Sequence, residues 1–167
     1  MRRIYREIIG PDVRCSNVAL ESFGICVGKP LMNVSMIERE LEKMYDVDKY
    51  TQTFQMSYET GKSKPVALFS NDSNKKINVS RLDHFVEYLK ATNSYGHYVI
   101  HVRGHAMAYH FLENTNTIWA IDAEERFVNR KHIMTLLEVR GPYLKDTFVN
   151  YLQTALTTGR KAKIERI

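Results

Sequence analysis

The stretch from Tyr98 to Ile121 constrains this chain most, because its apolar residues come in short runs broken at close intervals. Tyr98-Val-Ile-His-Val102 reads as a strand that Gly104 ends. His105 to Leu112 reads as a second strand, Glu113-Asn-Thr-Asn116 as a hairpin turn, and Thr117 to Ile121 as a third strand. Links this short join antiparallel neighbours, since parallel strands need a long crossover. The core of the fold is therefore expected to be an antiparallel meander.

Elsewhere the apolar period is helical. Cys15 to Gly24 spells a short helix with Ala19, Leu20 and Phe23 inward and Gly24 at its C-terminal end. Ser35 to Tyr45 carries Ile37, Leu41, Met44 and Tyr45 on one stripe, and Ser35 followed by Glu38 has capping-box spacing. Ser80 to Lys90 turns Leu82, Phe85, Val86 and Leu89 inward. Residues 50–69 read as two strands around Thr60-Gly61-Lys62, with Tyr50, Phe54, Met56 and Tyr58 alternating as in a half-buried strand. Asn129 to Glu138 and Leu144 to Leu156 read as closing helices. The expected class is α+β, with N-terminal helices packed on a small antiparallel sheet and helices again at the C-terminal end.

A chain of 167 residues fits one domain spanning 1–167, and 44% hydrophobic content argues against disorder. No apolar run approaches the roughly 18 residues of a membrane span. The basic start, Met1 to Arg6, lacks the apolar stretch of a secretory signal. Two cysteines do not make a disulfide framework, which points to a reducing, cytoplasmic compartment. The net charge of +5 gathers at the ends, in Arg2, Arg3 and Arg6 and in Arg160, Lys161, Lys163 and Arg166. These read as short, solvated basic tails. Nucleic-acid binding is the rival reading, without the aromatic interleaving that single strands call for.

Cys15, His105 and Asp122 form the constellation that could carry chemistry. A thiol becomes a nucleophile when a helix N-terminus and an imidazolium lower its pKa. Cys15 would open the first helix, His105 opens one strand, and Asp122 closes the next, so the hairpin brings the last two together. Asp122 would then hold the imidazole in orientation.

Gly104-His-Ala-Met-Ala-Tyr109, a hairpin, and Ile118-Trp-Ala-Ile-Asp-Ala-Glu124 together resemble the His and Asp segments of papain-like cysteine peptidases. The resemblance is to bacterial effector cysteine proteases, bacteriocin-processing peptidase domains and Josephin-type deubiquitinases. It covers about ten residues around Cys15 and about 25 around His105. It implies a papain-like fold with Cys15 as nucleophile, His105 as general base and Asp122 as orienting group. It also implies a protein or peptide substrate, ubiquitin-like proteins among them, no cofactor and no metal. The effector members imply action in the cytosol, including that of a host cell. Papain-like enzymes carry a Gln or Asn shortly before the cysteine, whereas Ile9, Gly10 and Asp12 stand there in this chain. That leaves the oxyanion to the backbone N–H of Cys15 and a second donor, with Asn17 the candidate. Asp122-Ala123 replaces the Asp-Pro that often follows.

Other readings stand beside this one. Cys26, in Phe23-Gly-Ile-Cys-Val-Gly, is a rival nucleophile, but Gly28 and Pro30 follow it and prevent a helix from starting there. His97, His101, His105 and His110 suggest zinc, yet four residues of strand span about 13 Å, too far for one ion. Asp122 could be a turn former and His105 a core histidine. A degenerate papain-like scaffold acting as a binding protein or effector is the alternative function, and a transferase using the same triad is open.

Overall fold

In the computed structural model, which describes residues 2–5, 15–57, 64–123, 131–157 and 163–167, thirteen elements follow one another. They are β1 (Arg2–Tyr5), α1 (Cys15–Glu21), α2 (Val34–Glu42), β2 (Asp46–Ser57), β3 (Lys64–Ser70), β4 (Lys76–Ile77) and α3 (Leu82–Ala91). After these come β5 (Gly96–Val102), β6 (His105–Phe111), β7 (Ile118–Asp122), β8 (Ile133–Arg140), α4 (Leu144–Thr157) and β9 (Lys163–Arg166). The fold is α+β. The strands form one nine-stranded sheet in the order β1-β9-β7-β6-β5-β8-β2-β3-β4, and every described pairing is antiparallel. The meander β5-β6-β7 lies where the sequence places it. No described helix is long and apolar enough to cross a membrane.

Alternation along the strands divides the core in two. Val99, Ala106, Ala108, Ile121, Leu137 and Val139 pack with Leu20, Phe23 and Ile37 from α1, its exit and α2, and with Phe148 of α4. Tyr98, Ile100, Met107, Tyr109, Phe111 and Leu136 pack on the other side with Leu82, Phe85 and Leu89 of α3. A sheet covered on both faces has apolar residues at consecutive positions in its central strands. Accordingly β6 is buried at every residue.

Three expectations are corrected. Residues 133–140 are the strand β8, not a helix; Asn129 lies outside the described residues. The sheet register shifts between His101, paired with Thr135, and Val102, paired with Ile133, so Met134 is an extra residue. That bulge puts Ile133 and Leu136 in the same core, and the resulting three-residue spacing imitates a helix. The cap of α2 is Asn33, whose Oδ1 accepts from the Met36 N–H at 3.0 Å, not Ser35. Finally, Lys163 and Arg166 are not solvated tail residues. Both belong to β9, where Lys163 is buried with its Nζ 4.0 Å from Glu165 Oε2 and Arg166 stacks over Trp119 at 5.4 Å. Residues 2–5 pair with β9 as an edge strand. Arg6, Gly10-Pro11-Asp12, Tyr58, Thr60-Gly61-Lys62, Glu124 to Arg126, Arg160 and Lys161 lie outside the described residues.

The helical expectations hold elsewhere: α1 ends through Gly24 at φ 76°, α3 lies within residues 80–91, and α4 begins at Leu144. Gly24 accepts the left-handed conformation without the Cβ clash other residues suffer, and a Cβ there would stand 2.8 Å from Thr147 Cγ2. Phe148 joins α4 to the sheet by stacking on the His110 ring at 3.9 Å, with the planes 9° apart. Phe148→Ala is expected to lower unfolding free energy by about 3–5 kcal/mol, read as a lower denaturant midpoint. A change under about 1 kcal/mol would show that α4 is not part of the same cooperative core.

Candidate active site

The site lies at one end of the sheet. Gly104, at φ 70°, turns the chain from β5 into β6 so that His105 is the first residue of the new strand. The β6–β7 pairing runs Ala108 to Ile121 and Tyr109 to Ala120, which puts Asp122 opposite Met107 and diagonal to His105. That diagonal is closed by a contact of 2.6 Å between His105 Nε2 and Asp122 Oδ1, with both side chains nearly inaccessible. Cys15 opens α1 against the same strand end. Its side chain hydrogen-bonds to His105 and receives the backbone N–H of Ala106, the next residue along. Since Asp122 takes Nε2, Nδ1 is the ring nitrogen left to face the sulfur.

The electrostatics follow from these contacts. Burial alone would push the Cys15 thiol up, but the His105 hydrogen bond, the Ala106 N–H and the His105 charge together hold it below its ordinary value. Burial alone would push His105 down, yet hydrogen bonds to Asp122 and Cys15, and their charges, raise it to about 9. The two shifts run in opposite directions, as they must when each charged form stabilises the other. Between the lowered thiol value and about 9 the favoured state is a thiolate beside an imidazolium.

A cleft of about 190 Å³ opens over the sulfur. One wall is the segment after α1, laced down by two polar residues of its first turn. Asn17 Nδ2 donates to the carbonyls of Val27 (3.2 Å) and Lys29 (2.9 Å), and its Oδ1 accepts from the Leu31 N–H at 3.3 Å. Ser16 Oγ donates to the Leu31 carbonyl at 3.2 Å. Leu31, Met32, Val34 and Ile37 make this wall apolar, and Met32 is 69% exposed at its rim. The opposite wall is the β5–β6 hairpin, with His101, Gly104 and Ala106.

The structure thus brings together Cys15, His105 and Asp122. Cys26 is exposed and lies apart, in a groove of about 530 Å³ against α4 with Gly24, Asn150 and Tyr151. Asn17 is not available as a donor in the cleft, because both amide hydrogens serve the chain carbonyls that form the wall. The four clustered histidines separate into different settings. His97 and His110 face each other across β5 and β6 with their Nδ1 atoms 2.8 Å apart, and Ser22 Oγ meets His110 Nε2 at 2.8 Å. Ser22 Oγ donates to the Ala19 carbonyl at 2.6 Å, so it accepts from His110, and that leaves His110 Nδ1 to accept from His97. Burial keeps both imidazoles neutral, with His97 lowered to about 4 and His110 held well below its ordinary value. Ser22 and His110 are both wholly buried, so this chain of polar groups joins α1 to the sheet and meets no substrate. Among the described residues no three side chains could share a metal ion.

In the sequence His101 reads only as a candidate metal ligand. Its place opposite Ala106 across the hairpin was the available signal. The Ala106 N–H had no signal, being backbone. Comparisons with protein-family profiles, with curated proteins and with solved structures give no significant match.

Asp122→Asn removes a charge that sustains the imidazolium, so His105 should lose its proton at lower pH and Cys15 should ionise at higher pH. The rate of Cys15 alkylation by iodoacetamide against pH is expected to rise later in this variant. Each pH unit by which the profile moves costs about tenfold at fixed acidic pH. An unmoved profile would mean that Asp122 does not sustain the pair.

Proposed function

We propose that this protein is a cysteine hydrolase that cleaves a peptide or isopeptide bond through Cys15, His105 and Asp122. One observation carries the reading: a half-buried thiol, an imidazole and a carboxylate stand in series at the lip of a cleft, with the thiol lowered and the imidazole raised. Partner exchange of this kind serves nucleophilic catalysis better than it serves packing, since an inert buried cysteine keeps its proton. A nucleophile at the start of a helix, a base opening one strand and an acid closing the next is the order found in papain-like peptidases, and the proposed fold assignment rests on that order.

The reaction follows from the geometry. The Cys15 thiolate attacks the carbonyl carbon, a C–S bond forms, and the carbonyl electrons move onto oxygen. The tetrahedral intermediate collapses as His105 gives its proton to the leaving nitrogen, and the C–N bond breaks. Water then attacks the thioester while His105 takes its proton, and cleavage of the C–S bond restores the thiolate. Asp122 holds the ring through Nε2 in both halves. The apolar wall at Leu31, Met32 and Ile37 suits an extended chain with an uncharged side chain beside the scissile bond.

A second reading, a degenerate scaffold of the same type that binds a protein without cutting it, is favoured by one observation. Residues 6–14 contain no carboxamide, and Asn17 is engaged elsewhere. The two readings part at the thiol. For a hydrolase, iodoacetamide at pH 6 should modify Cys15 at least tenfold faster than Cys26, as followed by intact mass and peptide mapping. Cys15→Ala should abolish turnover of a denatured-protein or fluorogenic ubiquitin-amide substrate and leave the circular dichroism spectrum unchanged. Equal reactivity of the two cysteines at pH 6 would sink the hydrolase reading in favour of the scaffold.

A further inference from the structure

Acyl transfer through Cys15 needs a hydrogen-bond donor for the negative oxygen, and losing one such donor typically costs about 10²–10³ in rate. The carboxamide that usually serves, a few residues before the cysteine, is missing here. No residue from Arg6 to Arg14 carries a side-chain carboxamide. Asn17 spends both amide hydrogens on Val27 and Lys29, and Ser16 spends its hydroxyl hydrogen on Leu31. The Asn33 side chain is exposed at the rim, so water competes for its Nδ2 hydrogens while its Oδ1 accepts from Met36 N–H to cap α2.

We infer that His101 supplies the missing donor, its Nε2–H holding the oxyanion formed when Cys15 attacks a carbonyl. This rests on the hydrolase reading of the same site. Three observations converge on His101. It pairs with Ala106 across the hairpin, so the two side chains share the face that α1 covers, and the Ala106 N–H itself touches the sulfur. The β5–β8 ladder breaks beside His101, which pairs with Thr135 while Val102 pairs with Ile133, so regular pairing stops at this end of β5 where the cleft opens. Nδ1 of His101 is sealed from solvent with no hydrogen-bond partner among the described residues, while the ring lines the cleft with Cys15 and His105.

The sealed nitrogen sets the tautomer. A buried donor without a partner costs more than a buried acceptor without one, so Nδ1 stays bare and the proton resides on Nε2. Burial also lowers the His101 pKa, which keeps the ring neutral beside the His105 cation. A neutral donor fits this place: it stabilises a developing charge without discharging the thiolate beforehand by proton transfer.

Two reactions of the same sulfur test the inference. With p-nitrophenyl acetate, the thiolate adds to the ester carbonyl, negative charge builds on oxygen, and p-nitrophenolate leaves an acetyl thioester on Cys15. With iodoacetamide, the thiolate displaces iodide at a saturated carbon and no oxyanion forms. His101→Ala, and His101→Leu as a variant that refills the space, should slow the p-nitrophenolate burst by about 10²–10³ and leave the alkylation rate at pH 6 within twofold of wild type. His101→Gln, which restores an N–H donor, should recover most of the burst. A burst unchanged in both donor-free variants overturns the inference, as does an equal slowing of both reactions. If instead wild-type Cys15 alkylates no faster than an ordinary thiol, the hydrolase reading itself has failed and the inference falls with it.

Discussion

Burial of β6 along its whole length is the constraint on which the rest of the structure depends. With helices on both faces, each polar side chain of that strand must find a partner in the protein, because water does not reach it. His110, near the far end, is closed off completely. Ser22 and His97 take its two nitrogens, Phe148 stacks on it, and both imidazoles stay neutral. His105, at the end, has Asp122 on one side and Cys15 with the cleft on the other. The same residue type on the same strand therefore becomes a packing group in one place and a charged group in the other.

Opposed forces set the state of the site. Desolvation favours an uncharged thiol and an uncharged ring. Hydrogen bonds to the charged forms favour the reverse, and they prevail because three groups are arranged in series. Asp122 contributes through its place opposite Met107, a consequence of register rather than of any local preference. The Ala106 N–H contributes because the strand begins beside the sulfur. The wall laced by Ser16 and Asn17 keeps the cleft open above it by committing their hydrogens to the chain carbonyls.

Much of this was legible in the chain. The meander, the first helix with Gly24 behind it, and the grouping of Cys15, His105 and Asp122 follow from periods, turn residues and order along the sequence. What misled has physical causes. Strand β8 is buried on both faces and carries a bulge at Met134, so its apolar spacing lost the two-residue period and took on a helical one. Asn33 outcompeted Ser35 as cap of α2, which starts one residue before Ser35. Lys163 and Arg166 looked like solvated charges because local sequence does not reveal a pairing partner more than forty residues away in β7. Asn17 looked like a free donor because nothing local shows that its amide faces Val27 and Lys29.

By itself the sequence determined where strands could run, which residues carried reactive groups, and that two of those groups would lie on neighbouring strands. Such information is local: period, turn propensity and spacing act over a few residues. Only the tertiary structure decided which cysteine meets an imidazole, which histidine is sealed and which opens to a cleft, and which amide is already engaged. Those outcomes depend on register and on the docking of α1 against β6, where residues distant in the chain exchange water for one another.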